Sequence, residues 1–411
     1  MPARKTAELP LHSGSAPAWL FQRMVAMAGA IGTLIVRDSG PVELLRRLSD
    51  PFWFQAFGCV LGFDWHSSGL TTTVCGALKE AARRVGSDLG IAVCGGKGAT
   101  SRKTPDDIRR ACDKTSDPAE QLVKASKLAA KVDNAAVQDG YQLYHHCFFF
   151  APGQNSWCVV QQGMNEATRY ARRYHWLSEQ MPSFVSEPHA AVACDGRGPT
   201  LNLVAGEGET HRRVLTDLSR EHPDRILREI KPLLQEPELP LFRALESPSL
   251  PLAASRSLHP NTERNPASGM DNQPYILPAR HSLGLCDLDP GSLKKVLVKT
   301  YEKQATKFED LVGEPGIGPR ALRSLSLIAE VIYQASACRR DPAVYSFAHG
   351  GKDGHPYRVN RALYDANLER LRQTVNAAKV GQTDKAQALK SLAAFTSRLN
   401  AAEPTAELRK H

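Results

Sequence analysis

The sequence predicts an α+β protein: a mixed N-terminal domain built on a β-hairpin and small sheet, followed by an all-α domain. Three observations lead there. Tyr141–Phe150 and Trp157–Gln162 are rich in aromatic and β-branched residues and flank a Pro-Gly-Gln-Asn turn, which is a hairpin signal. Several segments around them repeat apolar residues at helical intervals. Near the far end, Pro315-Gly316-Ile317-Gly318-Pro319-Arg320 separates two such segments.

In chain order, a polar lead (1–16) precedes a helix expected over 17–36 and a shorter one over 42–48. The aromatic run Pro51–Phe63 reads as core and leads into Asp64-Trp65-His66-Ser67-Ser68-Gly69. A helix over 71–85 and a strand over 89–94 follow, and the strand empties into Gly95-Gly96-Lys97-Gly98. That cluster lacks the G-x-x-x-x-G-K-[ST] spacing of a phosphate-binding P-loop, so no nucleotide cofactor is expected. Two helices are read within 105–138.

In the hairpin, pairing residue 150 with 157 sets His146 against Gln161 and His145 against Gln162, with one sheet face for core and the other for catalysis. Asn165 is expected to cap a helix toward 178. Arg169, Arg172, Arg173 and His175 would lie on that helix among Tyr170, Tyr174 and Trp176. Such a face suits phosphates and stacked bases, and equally a solvated basic surface. A charged helix is expected over 210–234.

Residues 236–289, rich in Pro, Ser and Asn, read as a linker between an N-terminal domain (1–235) and a helical domain (290–400), with a tail at 401–411. In the second domain the helices 292–311 and 320–333 flank the glycine turn. Gly316 and Gly318 can take angles a side chain forbids, Ile317 can plug the helices together, and Pro319 suits a first helical turn. Backbone N–H groups and a helix N-terminus then form an anion site. This resembles the helix-hairpin-helix motif of DNA repair proteins. The resemblance implies sequence-independent DNA phosphate contacts from Gly316, Ile317, Gly318 and Arg320. A polar loop at 341–356 and two C-terminal helices complete the chain.

A net charge of +9 favours a polyanionic partner. Nine cysteines without a C-x-x-C pair argue against a cysteine zinc site and fit reduced thiols in the cytoplasm. The apolar run Met24–Val36 is short for a membrane span, which takes roughly 20 residues. No membrane partner is expected.

With these stretches in view, the chain resembles a prokaryotic family catalogued as domain of unknown function 763. The resemblance rests on 48–58, Phe63–Gly69, Gly95–Gly98, Tyr144-His145-His146, Gln161–Asn165, Arg169–Trp176 and Ala348–Gly354. It implies no activity, so the chemistry is argued from residues.

A metal-dependent DNA nuclease is the expected function, with Asp64, His66, Lys97, His145 and His146 as catalytic candidates and Glu187 and His189 nearby. Asp64 and His66 are candidate ligands for Mg²⁺ or Mn²⁺, which would generate hydroxide and offset phosphorane charge. A monofunctional helix-hairpin-helix glycosylase is the alternative. Asp341 and Asp353 follow Arg320 by 21 and 33 residues, with Lys352 beside them. Arg320, always protonated, stands where a Schiff-base lysine would be needed for lyase chemistry. A non-enzymatic DNA-binding or scaffold protein is the third reading.

Overall fold

The computed structural model describes residues 17–63, 68–194, 197–233, 281, 290–343, 369, 371–378 and 380–401. The expected linker falls almost wholly outside these residues, as do Asp64, His66, Lys352 and Asp353. The chain is α+β and divides into two compact units, residues 1–134, 141–197 and 342–411 in one and 135–140 and 198–341 in the other. Thus 198–233, read from the sequence as part of the N-terminal domain, groups with the helices that flank the glycine turn.

The first unit opens with α1 (Ala18–Ser39), α2 (Pro41–Ser49), α3 (Pro51–Val60) and α4 (Gly69–Val85). Asp50 caps α3 by accepting the N–H groups of Phe52 and Trp53 at 2.8 and 3.1 Å, and Pro51 fills its first position. At 22 residues α1 runs longer than expected. By length and composition it could cross a membrane, yet Met24, Met27, Ala28, Ile31 and Ile35 are buried in the core.

The sheet has the order β1-β3-β4-β5-β6, antiparallel throughout, with β1 at Ala92–Lys97, β3 at Gln142–Ala151, β4 at Ser156–Asn165, β5 at Tyr170–Leu177 and β6 at Ala191–Ala193. Phe150 pairs with Trp157, His146 with Gln161 and His145 with Gln162, as the hairpin reading requires. One face carries Cys147, Phe149, Cys158, Val160 and Leu177 into a single apolar cluster with α1–α4 and with Ala388 and Leu392 of α12 (Gln382–Ala401). On the other face Phe148 stacks on Trp157 at 5.5 Å and Trp157 on Phe184 at 6.0 Å. Helices α5 (Thr104–Cys112) and α6 (Ala119–Lys131) pack on the sheet near them.

The expected helix at 165–178 is instead the β5 strand. Asn165 does accept two backbone N–H groups, from Ala167 and Thr168, but these close a turn in which Arg169 sits at φ +59°. The turn reverses the chain so that β5 pairs with β4 from Asn165↔Tyr170 to Cys158↔Leu177. The first strand also lies later than expected, ending at Lys97. Gly95 is needed there: its φ is +89°, and a Cβ would stand 2.4 Å from the carbonyl oxygen of His146 on the neighbouring strand.

The second unit contains the short pair β2 (Val137–Gln138) and β7 (Leu201–Asn202), with α7 (Glu209–Arg220), α8 (Pro223–Leu233), α9 (Pro290–Tyr301), α10 (Phe308–Gly313) and α11 (Pro319–Tyr333). Two helices read as continuous are each split. Pro223 starts α8 afresh after α7. The chain leaves α9 through Gln304 at φ +48°, whose side chain donates to Tyr301 O at 2.6 Å.

Candidate anion-binding site

The catalytic candidates of the first unit lie on both faces of the sheet and are mostly buried. His146 is held between Ser126 Oγ and Gln161 Oε1, each at 2.8 Å. Gln161 spends its amide donors on Ala129 O (3.2 Å) and Asp133 Oδ2 (2.6 Å), so its oxygen accepts from His146 Nδ1–H. His146 Nε2 then accepts from the Ser126 hydroxyl, and burial lowers the imidazole pKa to about 4. Asp133, fully buried, also accepts from Trp176 Nε1 at 2.9 Å and pairs with His189 Nε2 at 2.5 Å. This closed network joins α6 to the sheet.

The opposite face holds a second polar row, in which Lys97, His145, Gln162 and Arg173 occupy successive cross-strand positions. Lys97 is exposed at the strand end. His145 is buried with neither ring nitrogen hydrogen-bonded, and burial, helped by the Lys97 charge, lowers its pKa to about 3. Gln162 donates to Ser68 O at 2.8 Å and to the Tyr144 hydroxyl. The expectation of one core face and one catalytic face is therefore corrected: both faces are covered and both histidines are buried and neutral at pH 7.

The expected phosphate-binding arginines are corrected as well. Arg172 and Arg173 are 1% and 0% exposed. Arg172 lies over the Tyr141 ring at 4.5 Å. Arg173 donates to Gln55 Oε1 (3.0 Å), Thr71 Oγ1 (3.3 Å), Pro51 O (3.3 Å) and His175 Nε2 (2.9 Å), and it lies over Phe54 at 4.8 Å. His175 in turn donates Nδ1–H to Leu48 O at 3.0 Å, its pKa well below the usual value through burial and the Arg173 charge. These arginines tie the sheet to its neighbours. Among the described residues no group of three or more His, Cys, Asp or Glu is placed to hold a metal ion.

Among the described residues, the second unit holds an accessible cavity lined by cations. A cavity of about 500 Å³ opens beside the α10–α11 turn, lined by Lys295 and Lys299 of α9, Gly316 and Gly318 of the turn, and Arg320 and Arg323 of α11. His281 also lines it, and among the described residues no acidic side chain does. Gly316 has φ +82°, a left-handed conformation that glycine suits, and the Lys299 ammonium lies against it where a Cβ would stand. Gly318 differs from expectation: its φ is −119°, which any residue adopts, and a Cβ there would meet nothing within 4 Å. Its value is open space.

Ile317 is fully buried between the two glycines and its N–H donates to Glu314 O at 3.2 Å, fixing the turn. The first bond within α11 runs from Leu322 N–H to Gly318 O, so the N–H groups of Arg320 and Ala321 have no acceptor inside the helix. They add the positive end of a 15-residue helix to the cavity.

Behind it, Gln138 Nε2 donates to Pro319 O at 2.8 Å while Gln138 Oε1 accepts from Arg323 Nη1 at 3.0 Å, orienting that guanidinium. Gly140 N–H donates to His281 Nδ1 at 2.9 Å, which puts the proton of a neutral His281 on Nε2 as a further donor. Lys295 and Lys299 are exposed and have no ion pair or hydrogen bond among the described residues. Of these residues, sequence reasoning named the turn and Arg320 but missed Lys295, Lys299, Arg323 and His281. The i,i+4 spacing of the two lysines was the available signal.

Asp341, a glycosylase candidate, accepts the Gly198 N–H at 2.9 Å and so fixes a local chain crossing. No curated protein and no solved structure matches the chain. A family model described as a protein of unknown function, DUF763, matches residues 5–359, and the chain belongs to that family.

Proposed function

We propose that this protein binds DNA through its phosphate backbone, without reading sequence, at the cavity beside the α10–α11 turn. The observation that carries the reading is the concentration of Lys295, Lys299, Arg320 and Arg323 around a helix N-terminus, with no acidic residue among the described residues of the lining. The exposed ammonium groups of Lys295 and Lys299 are point-charge donors of the kind that contact phosphate oxygens. The helix–glycine turn–helix arrangement, with Ile317 buried between α10 and α11, supports a helix-hairpin-helix type of contact. The net charge of +9 acts in the same direction over longer range.

The test is a salt titration of binding to duplexes of unrelated sequence. Arg320→Ala is expected to weaken all of them alike and to reduce the steepness of the log–log salt dependence by about one. Absence of binding, or an unchanged slope, would sink the reading. Repeating the titration with EDTA and with Mg²⁺ or Mn²⁺ separates binding from strand cleavage. Metal-dependent cutting lost in Asp64→Ala would extend the function to a nuclease.

A further inference from the structure

We infer that the end of the sheet in the first unit, where Lys97, Tyr144, His145 and Gln162 meet, takes an unpaired nucleotide and holds the edge of its base. The inference rests on the DNA-binding reading above and adds a second contact, to a base rather than to the backbone, at a separate place in the chain. The first argument is register. Lys97 stands opposite His145, and His145 opposite Gln162, on β1, β3 and β4. Residues so paired share one face, with about 5 Å between neighbouring Cβ atoms. Between Leu143 and His145 the pairing shifts, and Tyr144 is the extra residue. A bulge of this kind re-aims a side chain. Tyr144 accepts a hydrogen bond from Gln162 Nε2, and its ring centre lies 5.9 Å from Lys97 Nζ. Four polar side chains from three strands thus converge, and Lys97 at the strand end is exposed.

The second argument is hydrogen bonding. Both ring nitrogens of His145 and the amide oxygen of Gln162 lack a partner, although the two residues are 1% and 0% exposed. The orientation of Gln162 is fixed: its Nε2 donates to Ser68 O, which can only accept, so Oε1 is the atom left over. Buried polar groups in folded proteins are nearly all paired, so three unpaired ones on a single cross-strand pair call for a ligand.

The third argument is the chemistry these groups demand. A neutral imidazole offers one N–H and one lone pair, and Gln162 Oε1 offers a second lone pair. The Tyr144 hydroxyl, accepting from Gln162, keeps its own proton to donate. The complement is an edge that mixes donors with acceptors, joined to an anion for Lys97. A nucleotide has both, because every base edge carries N–H groups beside lone pairs and the phosphate lies close by. A bare phosphate diester offers acceptors alone and leaves Gln162 Oε1 unpaired. The His145 nitrogens are closed to solvent in the free chain, so entry displaces the Lys97 and Tyr144 side chains at the strand end. The hydrogen bonds unmet before binding are the gain that favours the open arrangement.

Fluorescence anisotropy with the full-length protein tests this at fixed ionic strength. The probes are a single strand of mixed sequence, an abasic strand with the same number of phosphates, and a duplex. The base-bearing strand is expected to bind about tenfold tighter than the abasic one, the effect of one or two net hydrogen bonds. The preference is expected to disappear in His145→Phe, while duplex binding stays at the wild-type level. That substitution removes no hydrogen bond from the free chain, so its melting temperature should equal or exceed that of the wild type. Lys97→Ala, at an exposed position, should weaken the base-bearing strand and leave the abasic strand unaffected. Equal binding of the two strands, or a preference that survives His145→Phe, would overturn the site, and intact duplex binding would leave the backbone reading standing. Should His145→Phe fail to fold, loss of the preference in Lys97→Ala sustains the inference and its persistence there overturns it. Failure to bind any of the probes would overturn the DNA reading itself.

Discussion

Arg172 and Arg173 in the sheet, and Lys295 and Lys299 beside the glycine turn, place the same sign of charge in opposite surroundings. The strand arginines are buried; Arg173 donates to amide, hydroxyl, carbonyl and imidazole acceptors, and both lie over aromatic rings. The lysines near the turn stand at an open cavity with no hydrogen-bond or ion-pair partner on the described residues. A cation that already satisfies its donors inside the fold stabilises the fold. A cation whose donors are left to solvent is available to a ligand. Positive charge is common to the two groups, and burial is what separates their roles.

The sharpest way to break the comparison is to remove one cation from each region. Arg173→Met leaves Gln55 Oε1, Pro51 O and His175 Nε2 short of a donor in the interior. It should cost about 3 kcal/mol in urea unfolding, the scale of unsatisfied buried polar groups. Lys295→Met should change stability by no more than about 0.5 kcal/mol, since that side chain is exposed. Equal costs at the two sites would refute the division of labour.

The misreading of 165–178 has the same origin. Tyr170, Arg172, Tyr174 and Trp176 share one face of β5, and Ala171, Arg173, His175 and Leu177 the other. Because both faces are covered, neither period 2 nor period 3.6 separates polar from apolar residues, and the arginines pass for a solvated helix face. The β3–β4 hairpin was legible to the residue because its aromatic runs meet at a turn of fixed length, and the turn sets the register. The glycine turn was legible for a similar local reason. The rest of the cavity was not, since Lys295, Lys299 and His281 reach it only through the packing of distant segments. Asp64 and His66, central to the nuclease reading, lie outside the described residues.

A second contrast concerns glycines. Gly95→Ala forces a Cβ against the His146 carbonyl at a positive φ and should destabilise the protein by about 2 kcal/mol. Gly318→Ala meets open space at an ordinary φ and should leave the melting temperature near that of the wild type. A large loss at Gly318 would mean that the turn, like the strand, depends on glycine for its conformation.

The comparison extends to the response to pH. His145 and His146 are neutral when folded, with pKa values of about 3 and about 4, and take up protons near 6.5 when unfolded. The unfolded state therefore binds more protons as pH falls below 6.5, and stability should decline from there toward about 4. Each histidine contributes a slope of up to about 1.4 kcal/mol per pH unit. Urea midpoints measured over that interval check this, and His146→Gln should flatten the decline. A midpoint that rises on acidification would show that the two imidazoles are charged in the native state.

On the proposed reading, the burial of Ile317 bears on how fast an anion is captured as well as on how the turn is shaped. A fully buried side chain and a backbone bond to Glu314 leave the N–H groups at the head of α11 already aimed before any anion arrives. Little ordering remains to be paid on contact, so association is governed by diffusion in the field of the surrounding cations, and its rate should fall steeply as salt is added. The lifetime of the complex then reports the direct contacts, and the two rates can be tuned separately: the first by distant charge, the second by the cavity wall.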